Sequence, residues 1–378
     1  MFVVELIILL GIIVQLFFWL YAASRIVIWR PNKNNSRLPH PTSVSIIICA
    51  KNESVNLQQF LPLVLDQQYD GIWELIVVND SSTDNTAQVL ASFCQRYPRL
   101  KVVTLDAATP KKYLGKRNAL AAGVEAAKHE AILLTDADCY PLSQFWIKGM
   151  ANELTADTDL VLGFSPYQKK SGFLNWFIRL EAIWTAIQYF GFALSGYTYM
   201  GVGRNLMYRR AVFLKKLHIF AQAKSASGDD DFMVAEVAKS QRIACSLNAT
   251  TYCESVPKLF WKEYMSQKTR HNAAGISYSL NIKALLGVLI SSQIITTIAL
   301  LLGIFFFLIQ YNVISEIVWL ALVFRYIVTL VILALSPTKF INKKLLATYI
   351  GFEASMSITY LFFAVNIIRS THKSGKWK

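Results

Sequence analysis

The chain is poor in charged residues, and in acidic residues above all. Only 16% of its 378 residues are charged, and 38 lysines and arginines stand against 24 aspartates and glutamates, a formal net charge of +14. With 54% hydrophobic residues and a mean hydropathy of +0.37, this composition excludes an ordinary soluble enzyme. Because the sequence carries no recognised nucleic-acid-binding motif, its positive charge favours an anionic membrane surface as partner over nucleic acid.

Cysteine and histidine are also scarce, and neither is spaced to bind zinc. The five cysteines lack the paired spacing of a zinc site or of a disulfide framework, and no two histidines recur at helical spacing. We therefore expect reduced cysteines that fill the core, with Cys49 and Cys139 at the ends of buried strands. The sequence shows no internal repeat and no low-complexity segment.

Four long apolar runs account for the hydropathy, at residues 2–22, 284–309, 315–336 and 345–368. About 20 residues at a rise of about 1.5 Å each cross a hydrocarbon core of about 30 Å, so each run is long enough to span a membrane. The first run lacks a basic leading segment and a small-residue cleavage site. We therefore interpret residues 1–24 as a retained membrane helix rather than a signal peptide, and we expect about three more membrane helices within residues 284–368.

Basic residues beside these runs predict the side of the membrane on which the polar part of the chain lies. The first run is followed by Arg25, Arg30, Lys33 and Arg37. The positive-inside rule places them, with the domain at residues 41–275, in the cytoplasm of a multi-pass protein of the inner (plasma) membrane. Four crossings would leave the basic tail, with His372, Lys373, Lys376 and Lys378, outside. Either the tail is an exception to the rule or one C-terminal segment does not cross fully, and the run at 284–309, with its central Ser291-Ser292-Gln293, is then the segment we expect.

The polar domain alternates strands with helices. Runs of β-branched and leucine residues predict strands at Val44–Ala50, Leu75–Val78, Leu100–Leu105 and Ala131–Thr135, with helices beginning near Ser54, near Thr86 and after a basic loop at residues 111–117. Continuous apolar strands of this kind are typical of parallel strands buried on both faces. The sequence therefore predicts an α/β fold, with a mostly parallel sheet flanked by helices and its ligand site at the carboxyl ends of the strands.

Acidic side chains follow three of these strands. Glu53 and Asp80 follow the first two, and Asp136 and Asp138 follow the fourth. Because strand side chains alternate between faces, Asp136 and Asp138 should point the same way from the strand's exit. Two carboxylates on one side suit a hard divalent cation such as Mg²⁺ or Mn²⁺, so the strand ends predict a metal and phosphate site.

These segments resemble the successive donor-site motifs of family 2 glycosyltransferases, whose catalytic domain has the GT-A fold. The segments are Val44 to Glu53, Val77 to Asp84, Gly115 to Leu120, and Asp136-Ala137-Asp138. Gly228-Asp229-Asp230-Asp231 is similar to the acidic motif that holds the family's catalytic base. Gln267-Lys268-Thr269-Arg270-His271 resembles the Gln-X-X-Arg-Trp motif of the membrane-bound members, with His271 in place of Trp.

The resemblance implies an inverting enzyme that moves a sugar from a UDP- or GDP-linked donor to a lipid-linked or polysaccharide acceptor of the cell envelope, at the cytoplasmic face of the membrane. It implies a divalent cation held by Asp138 and Asp136, and a catalytic base at Asp230, with Asp229 and Asp231 as rivals. The donor-binding residues that it implies are Ala50, Asn52, Glu53, Asp80, Lys116, Asp136, Gln267 and Arg270. Lys116 as a solvated loop lysine and Glu53 as a helix cap are the alternatives.

Two aromatic-rich segments extend the domain, at residues 173–200 and 257–275. We expect interfacial helices at the membrane surface, with a buried core helix as the alternative for residues 173–200. The glycines of Gly201-Val202-Gly203-Arg204-Asn205 allow close backbone approach to donor or acceptor. Two other functions stay open: a polyprenyl-phosphate glycosyltransferase, and a non-catalytic nucleotide-binding scaffold or transport component. Apolar runs without buried charge pairs make a poor solute pathway, which argues against the transporter.

Overall fold

The structure is a computed structural model that describes residues 2–31, 41–108, 110–222, 228–240, 242–275, 278–309, 315–336 and 343–369. The basic residues Lys33 and Arg37, the loop at 338–342 and the basic tail from residue 370 onward lie outside these ranges. The described residues form two compact units. We call them the sheet unit, Trp29–Asn175 with Gly196–Ser277, and the apolar unit, which comprises residues up to Ile28, Trp176–Ser195 and the chain from Tyr278 onward.

The sheet unit is built on a seven-stranded sheet and a separate two-stranded one. The strands are β1 (Val44–Ala50), β2 (Trp73–Asp80), β3 (Leu100–Leu105), β4 (Ala131–Asp136), β5 (Cys139–Pro141), β6 (Leu160–Gly163), β7 (Leu206–Arg209), β8 (Ile243–Ser246) and β9 (Cys253–Ser255). The larger sheet has the order β3-β2-β1-β4-β7-β6-β8, and β5 pairs with β9. The mostly parallel α/β sheet that the sequence predicts is therefore confirmed.

Fifteen α-helices lie in the described part of the chain. They are α1 (Phe2–Phe17), α2 (Ser24–Ile28), α3 (Ser54–Leu65), α4 (Thr86–Cys94), α5 (Arg117–Ala126), α6 (Trp146–Glu153), α7 (Phe173–Leu194), α8 (Arg210–Lys216), α9 (Ile219–Gln222), α10 (Asp229–Val237), α11 (Trp261–Gly275), α12 (Leu280–Leu308), α13 (Glu316–Leu335), α14 (Lys343–Ala347) and α15 (Tyr349–Arg369). A π-helical segment, Phe18–Ala23, joins α1 to α2. The predicted helix starts at Ser54 and Thr86 are confirmed.

The two central strands, β1 and β2, are buried along their whole length. Their β-branched side chains suit a pleated surface that is covered on both faces, which explains why the sequence shows a continuous apolar run rather than alternation. Strand β2 is longer than predicted and includes Asn79 and Asp80. Asp80 is therefore the last residue of a strand and not part of the following turn.

Strand β7 runs antiparallel to both of its neighbours, β4 and β6. Leu134 of β4 pairs with Leu206 of β7. An antiparallel strand begins at the edge where its neighbour ends, so the segment that leads into β7 lies beside the carboxyl end of β4. The fold thus brings Gly203 and Arg204 to the same edge of the sheet as Asp136.

The apolar unit holds the helices that are long and apolar enough to cross a membrane. Among the described residues these are Phe2–Ile28, Leu280–Leu308 and Glu316–Leu335. The expectation that the 284–309 run would be the deficient segment is wrong, because Leu280–Leu308 meets both criteria. The run at 345–368 also forms a helix, α15, but it is not among the three, and it carries a buried Glu353 with several serines and threonines.

A buried ion pair joins two helices of the apolar unit. Arg325 of α13 donates two hydrogen bonds to the carboxylate of Glu353 on α15, and a third, at 2.9 Å, to Gln15 of α1. Gln15 in turn donates to the Ser292 hydroxyl of α12 at 2.8 Å. Arg325 and Glu353 are 0% and 1% exposed. The sequence-based view that these helices lack buried charge pairs is therefore wrong.

The long aromatic helix α7 is a buried helix, the alternative that the sequence left open. Its residues from Trp176 on belong to the apolar unit. Phe177, Trp184 and Phe190 are each at most 1% exposed, and even Glu181 is buried. Within the same unit Trp184 donates to the Tyr360 hydroxyl at 2.9 Å. A helix that is covered all round needs apolar side chains on every face, which accounts for its composition.

Candidate active site

The loops after β1 and β2 interlock at the carboxyl edge of the sheet. Asn52 adopts a left-handed φ of 58°, and its side-chain oxygen accepts a hydrogen bond from the Thr83 amide at 2.8 Å. Asp84 accepts from the amides of Ser54 and Thr86, at 3.2 and 3.0 Å, so one carboxylate serves the first turns of both α3 and α4. Although burial raises the pKa of Asp84, these hydrogen bonds lower it to about 2.

Glu53 does not cap α3 with its side chain. Its carboxylate accepts from the Asn56 side chain at 2.6 Å, and the capping contact to the Ser54 amide comes from Asp84 instead. Burial raises the pKa of Glu53, and the negative charges of Asp138 and Asp136 raise it further. Glu53 therefore shares the electrostatic environment of the acidic pair, as the convergence of strand ends predicts.

Asp80 lies fully buried at the end of β2. Its two carboxylate oxygens accept hydrogen bonds from Lys111 at 2.8 and 3.0 Å. A carboxylate offers about four lone-pair sites, so acceptor capacity remains for a further donor such as a nucleobase. Lys111 belongs to the basic loop, and the sequence did not single it out as a partner of Asp80.

Asp136 and Asp138 meet at the end of β4, as predicted, but not both from the strand. Asp136 is the last residue of β4, whereas Asp138 lies in the turn before β5. Their carboxylate oxygens and the Cys139 sulfur lie within 4.8 Å of one another. The thiol of Cys139 donates to Asp138 at 3.2 Å. Cys139 is therefore more than core filler, because its sulfur completes the donor set at this turn.

The charges around the pair distinguish its two members. Burial raises the pKa of Asp136, but the contact with Lys116, together with the charge of Arg204, lowers it below its usual range. Burial and the negative charge of Asp136 raise the pKa of Asp138. A second negative charge so close is unfavourable unless a proton or a cation joins it. The pair therefore fits a hard divalent cation, and Lys116 is a partner of Asp136 rather than a solvated loop lysine.

The candidate base lies at the start of α10. Gly228 takes a left-handed φ of 83° before the helix begins at Asp229. The Asp230 carboxylate accepts a hydrogen bond from the Gly203 amide at 3.1 Å. The close approach that the glycines permit is therefore to Asp230. Asp231 is half-buried, and the side chain of Asp229 lies outside the described part of the structure.

The Gln-X-X-Arg segment lies on α11, as its helical spacing predicts. Gln267 and Arg270 are both half-buried. Desolvation and the positive charges of Lys268 and Arg204 lower the pKa of His271, while the charge of Asp136 opposes this. His271 is thus within electrostatic reach of the acidic pair.

The arrangement places metal-binding carboxylates, two lysines and a candidate base at one edge of an α/β sheet. Carboxylates and lysines at strand ends suit a metal-bound diphosphate. A carboxylate held by a backbone amide suits proton abstraction. Fold and site together define an α/β domain with a candidate metal and phosphate site at the carboxyl edge of its sheet.

Comparison with known proteins gives the family. Residues 45–215 match the family model for glycosyl transferase family 2. These residues form a family 2 glycosyltransferase domain, which confirms the family and the GT-A fold that the motifs predict.

Two curated relatives and one solved structure illustrate the similarity. The chain is 31% identical over 160 residues to the probable glycosyltransferase YdaM of Bacillus subtilis, covering 41% of this chain and 36% of that protein. It is 35% identical over 95 residues to a poly-β-1,6-N-acetyl-D-glucosamine synthase of Staphylococcus epidermidis, covering 25% of this chain and 21% of the synthase. The matches thus span about a third or less of these relatives.

A solved mannosyltransferase shares the fold over nearly its whole length. It comes from Pyrobaculum calidifontis and was solved with GDP-Man and Mn²⁺. The TM-score is 0.53 at 16% sequence identity, over 94% of this chain and 99% of that chain. This likeness confirms the GT-A architecture.

Proposed function

We propose that the protein is an inverting glycosyltransferase of the inner membrane that acts at the cytoplasmic face. In this proposal it moves a sugar from a UDP- or GDP-linked donor to a lipid-linked or polysaccharide acceptor. The observation that carries the proposal is the meeting of Asp136, Asp138 and Lys116 at the edge of the sheet to which Gly203 brings the Asp230 carboxylate. The similarity to a polysaccharide synthase supports a saccharide acceptor.

Asp136 and Asp138 would hold a divalent cation, Mg²⁺ or Mn²⁺. Two carboxylates with their oxygens this close fit such an ion. Burial and the negative charge of Asp136 raise the pKa of Asp138, and a bound cation would offset both effects. When bound, the cation would neutralise charge on the donor's diphosphate. Asp80 would accept from the nucleobase beside Lys111, and Lys116 would bind phosphate oxygens from its place on Asp136. Ala50, Asn52 and Glu53 would line the donor from the end of β1.

The reaction is a single displacement at the anomeric carbon. Asp230 accepts the proton of the acceptor hydroxyl, and the hydroxyl oxygen forms a bond to the anomeric carbon. The bond from that carbon to the donor's phosphate oxygen breaks, and the nucleoside diphosphate leaves with the electron pair. One displacement inverts the configuration. Asp231 and Asp229 remain rivals for the base, while Gln267 and Arg270 would contact acceptor and diphosphate from α11.

Three spanning helices favour the proposed orientation. With Phe2–Ile28, Leu280–Leu308 and Glu316–Leu335 as the crossings, the sheet unit and the basic tail fall on the same side. The positive-inside rule then makes that side the cytoplasm. In this arrangement α15 would not cross, and the conflict that four crossings create for the tail would not arise.

A donor screen with purified protein in detergent tests the proposal. UDP- and GDP-sugars are supplied with Mn²⁺ and membrane lipids, and products are identified by mass spectrometry. We expect one donor to yield a sugar linked to a lipid-linked or saccharide acceptor with inverted configuration. A sugar linked to lipid through an acid-labile phosphodiester would indicate the polyprenyl-phosphate enzyme. Nucleotide binding with no transfer to any acceptor would indicate the scaffold.

Metal dependence is the accompanying prediction. Asp138→Asn keeps the shape of the side chain but removes the charge that a cation requires, so transfer should fall to background while the protein elutes and melts like the wild type. Excess EDTA should have the same effect on the wild type. Undiminished transfer under either condition would rule out the proposed cation site.

A further inference from the structure

Arg204 is a positively charged residue beside Asp136 and Asp138, and the proposed function assigns it no role. The residue is half-buried, and its Cζ lies 4.4 Å from the centre of the Tyr167 ring. Its guanidinium makes no hydrogen bond or ion pair with any residue that the structure describes. A guanidinium stacked on a ring still directs its N–H donors outward in its own plane.

The sheet register brings Arg204 opposite Asp136. Leu134 pairs with Leu206 across β4 and β7, and continuing this antiparallel register by two residues sets Asp136 against Arg204. The electrostatics agree with this placement. Burial raises the pKa of Asp136 and of Asp138, and the charge of Arg204 opposes this effect at both carboxyl groups.

The ring beneath the guanidinium is held in place from the acidic turn. The amide of Val256 donates to the Asp138 carbonyl at 3.1 Å, and the neighbouring Ser255 exchanges hydrogen bonds with Pro166 and Gln168 at 2.9 and 3.0 Å. Tyr167 lies between these two residues in the chain. A continuous set of backbone hydrogen bonds therefore fixes the Tyr167 segment relative to Asp138.

Arg204 is also tied to the candidate base. The preceding residue, Gly203, donates its amide to the Asp230 carboxylate at 3.1 Å. Two adjacent residues thus contribute to the site. The backbone amide of Gly203 contacts the candidate base, and Arg204, the next residue, lies opposite the acidic pair in the sheet register.

We propose that Arg204 binds the diphosphate of the sugar donor, opposite the cation that Asp136 and Asp138 would hold. This proposal rests on the proposed function. When the bond from the anomeric carbon to the phosphate oxygen breaks, its electron pair stays on the diphosphate, and the guanidinium donates to those oxygens. Arginine suits this task because it is always charged and its planar fork matches a phosphate. Donors arranged before the reaction stabilise such developing charge.

Binding experiments with the full-length protein in detergent test Arg204. Arg204→Gln, Arg204→Lys and the control Arg96→Gln are titrated with UDP, GDP and UMP in saturating Mn²⁺, using calorimetry, and with Mn²⁺ alone, using electron paramagnetic resonance. Arg96 is matched because its guanidinium also stacks on a ring, at 4.8 Å from the centre of Phe93, but it is exposed in the turn that follows α4.

We expect the substitution to affect diphosphate binding and Mn²⁺ binding differently. Arg204→Gln should weaken binding of the diphosphate that the wild type prefers by about tenfold or more, and binding of UMP by less, because UMP lacks the second phosphate. Mn²⁺ alone should bind as well as before or more tightly, because a positive charge beside its ligands has gone. Arg204→Lys should lie between Arg204→Gln and the wild type, and Arg96→Gln should match the wild type.

Three results would overturn the proposal in distinguishable ways. Unchanged diphosphate affinity in Arg204→Gln would show that Arg204 does not bind the donor. Parallel loss of Mn²⁺ and diphosphate affinity would show that it only arranges the two aspartates. A wild type that binds neither UDP nor GDP with Mn²⁺ would refute the proposed function itself, and with it this inference.

Discussion

At the scale of single residues, the contact between Gly203 and Asp230 determines how the candidate base is oriented. The amide of Gly203 donates to one carboxylate oxygen of Asp230 at 3.1 Å. The neighbouring Asp231 lies on the same helix turn. The structure gives Asp230 a fixed orientation, and this favours it as the base over its neighbour.

Asp230→Asn should remove most of the transfer while the donor still binds. The amide oxygen can still accept from Gly203, so the local geometry survives, but the side chain can no longer take up a proton. Loss of a general base typically costs about 10²–10⁴-fold in turnover. Turnover and donor affinity are measured in parallel with Asp231→Asn as the matched control. A larger loss in the control, or lost donor binding in Asp230→Asn, would assign the base elsewhere.

Gly203→Ala should also lower turnover, because position 203 has no room for a side chain. A Cβ there would lie 2.0 and 2.1 Å from the two carboxylate oxygens of Asp230. The carboxylate would have to move, and misplacing a reacting group by about 1 Å can cost about a hundredfold. We expect a drop of about tenfold or more with unchanged donor affinity. Gly287→Ala is the control, since a Cβ at that helical glycine meets nothing within 4 Å. Equal activity of the two variants would contradict the prediction.

At the scale of secondary-structure elements, Asp84 joins the first turns of α3 and α4. One carboxylate accepts from the amides of both Ser54 and Thr86. A negative charge at two helix N-termini also meets the positive ends of both helix dipoles. The loops that present Asn52 and Asp80 are therefore held by a residue that need not touch the substrate.

Asp84→Ala should destabilise the sheet unit in a pH-dependent way. The pKa of Asp84 is lowered from 3.8 to about 2, so its stabilisation is complete above about pH 4 and is lost as pH falls toward 2. Allowing for solvent screening, the loss at pH 6 should be about 1 kcal/mol. Thermal unfolding of wild type and variant at pH 6 and pH 3 measures it, and the difference should shrink at the lower pH. Asp70→Ala is the control, because Asp70 is exposed and forms a surface ion pair with Lys148; a similar loss there would contradict the capping role.

The elements and the site differ in how far the sequence predicts them. The strands Val44–Ala50 and Leu100–Leu105 were predicted to the residue. The first is buried along its whole length and so leaves an uninterrupted apolar run. The meeting of Asp136 with Asp138 was also predictable, since both lie within three residues at a strand end. The contact of Gly203 with Asp230 and the pairing of Asp80 with Lys111 were not, because both join distant segments through the tertiary fold.

The direction of β7 in the sheet could not be predicted from the sequence either. Its four residues, Leu206–Arg209, end in an arginine and do not form a continuous apolar run. The sequence of such a short strand does not indicate whether it will pair parallel or antiparallel. The placement of Arg204 depends on that direction. Sequence reasoning noted the neighbouring glycines because their type suggests close packing, but an isolated arginine in a loop has no pattern that marks it.

At the scale of the whole molecule, the apolar unit contains a buried polar cluster of Arg325, Glu353, Gln15 and Ser292, which its apolar composition does not indicate. Arg325 and Glu353 each stand alone among apolar residues, so the sequence pattern does not indicate that they pair. Only the structure shows that α13 and α15 bring them into contact. A buried ion pair contributes little net stability compared with apolar side chains of the same size, although removing one partner alone is costly.

The single substitution Arg325→Met should therefore be strongly destabilising. The double substitution Arg325→Met with Glu353→Met should be much less destabilising. The single change leaves a buried carboxylate without its partner, which typically costs about 3–5 kcal/mol. The double change removes both charges and should recover most of the wild-type melting temperature in detergent. Melting and gel filtration of wild type, single and double variants decide this. A single variant as stable as the wild type, or a double variant no better than the single, would show that the pair does not stabilise the apolar unit.

The path of the chain between β6 and β7 has a consequence for biosynthesis. β6 ends at Gly163 and β7 begins at Leu206, and in between the chain passes through α7, most of which belongs to the apolar unit. Asp80, Asp136 and Asp138 are therefore translated before α7, whereas Gly203, Arg204 and Asp230 are translated after it. Because chains begin to fold as they leave the ribosome, we expect the nascent protein to assemble its acidic pair well before it acquires its base. We therefore expect no sugar transfer by chains that end before Asp230.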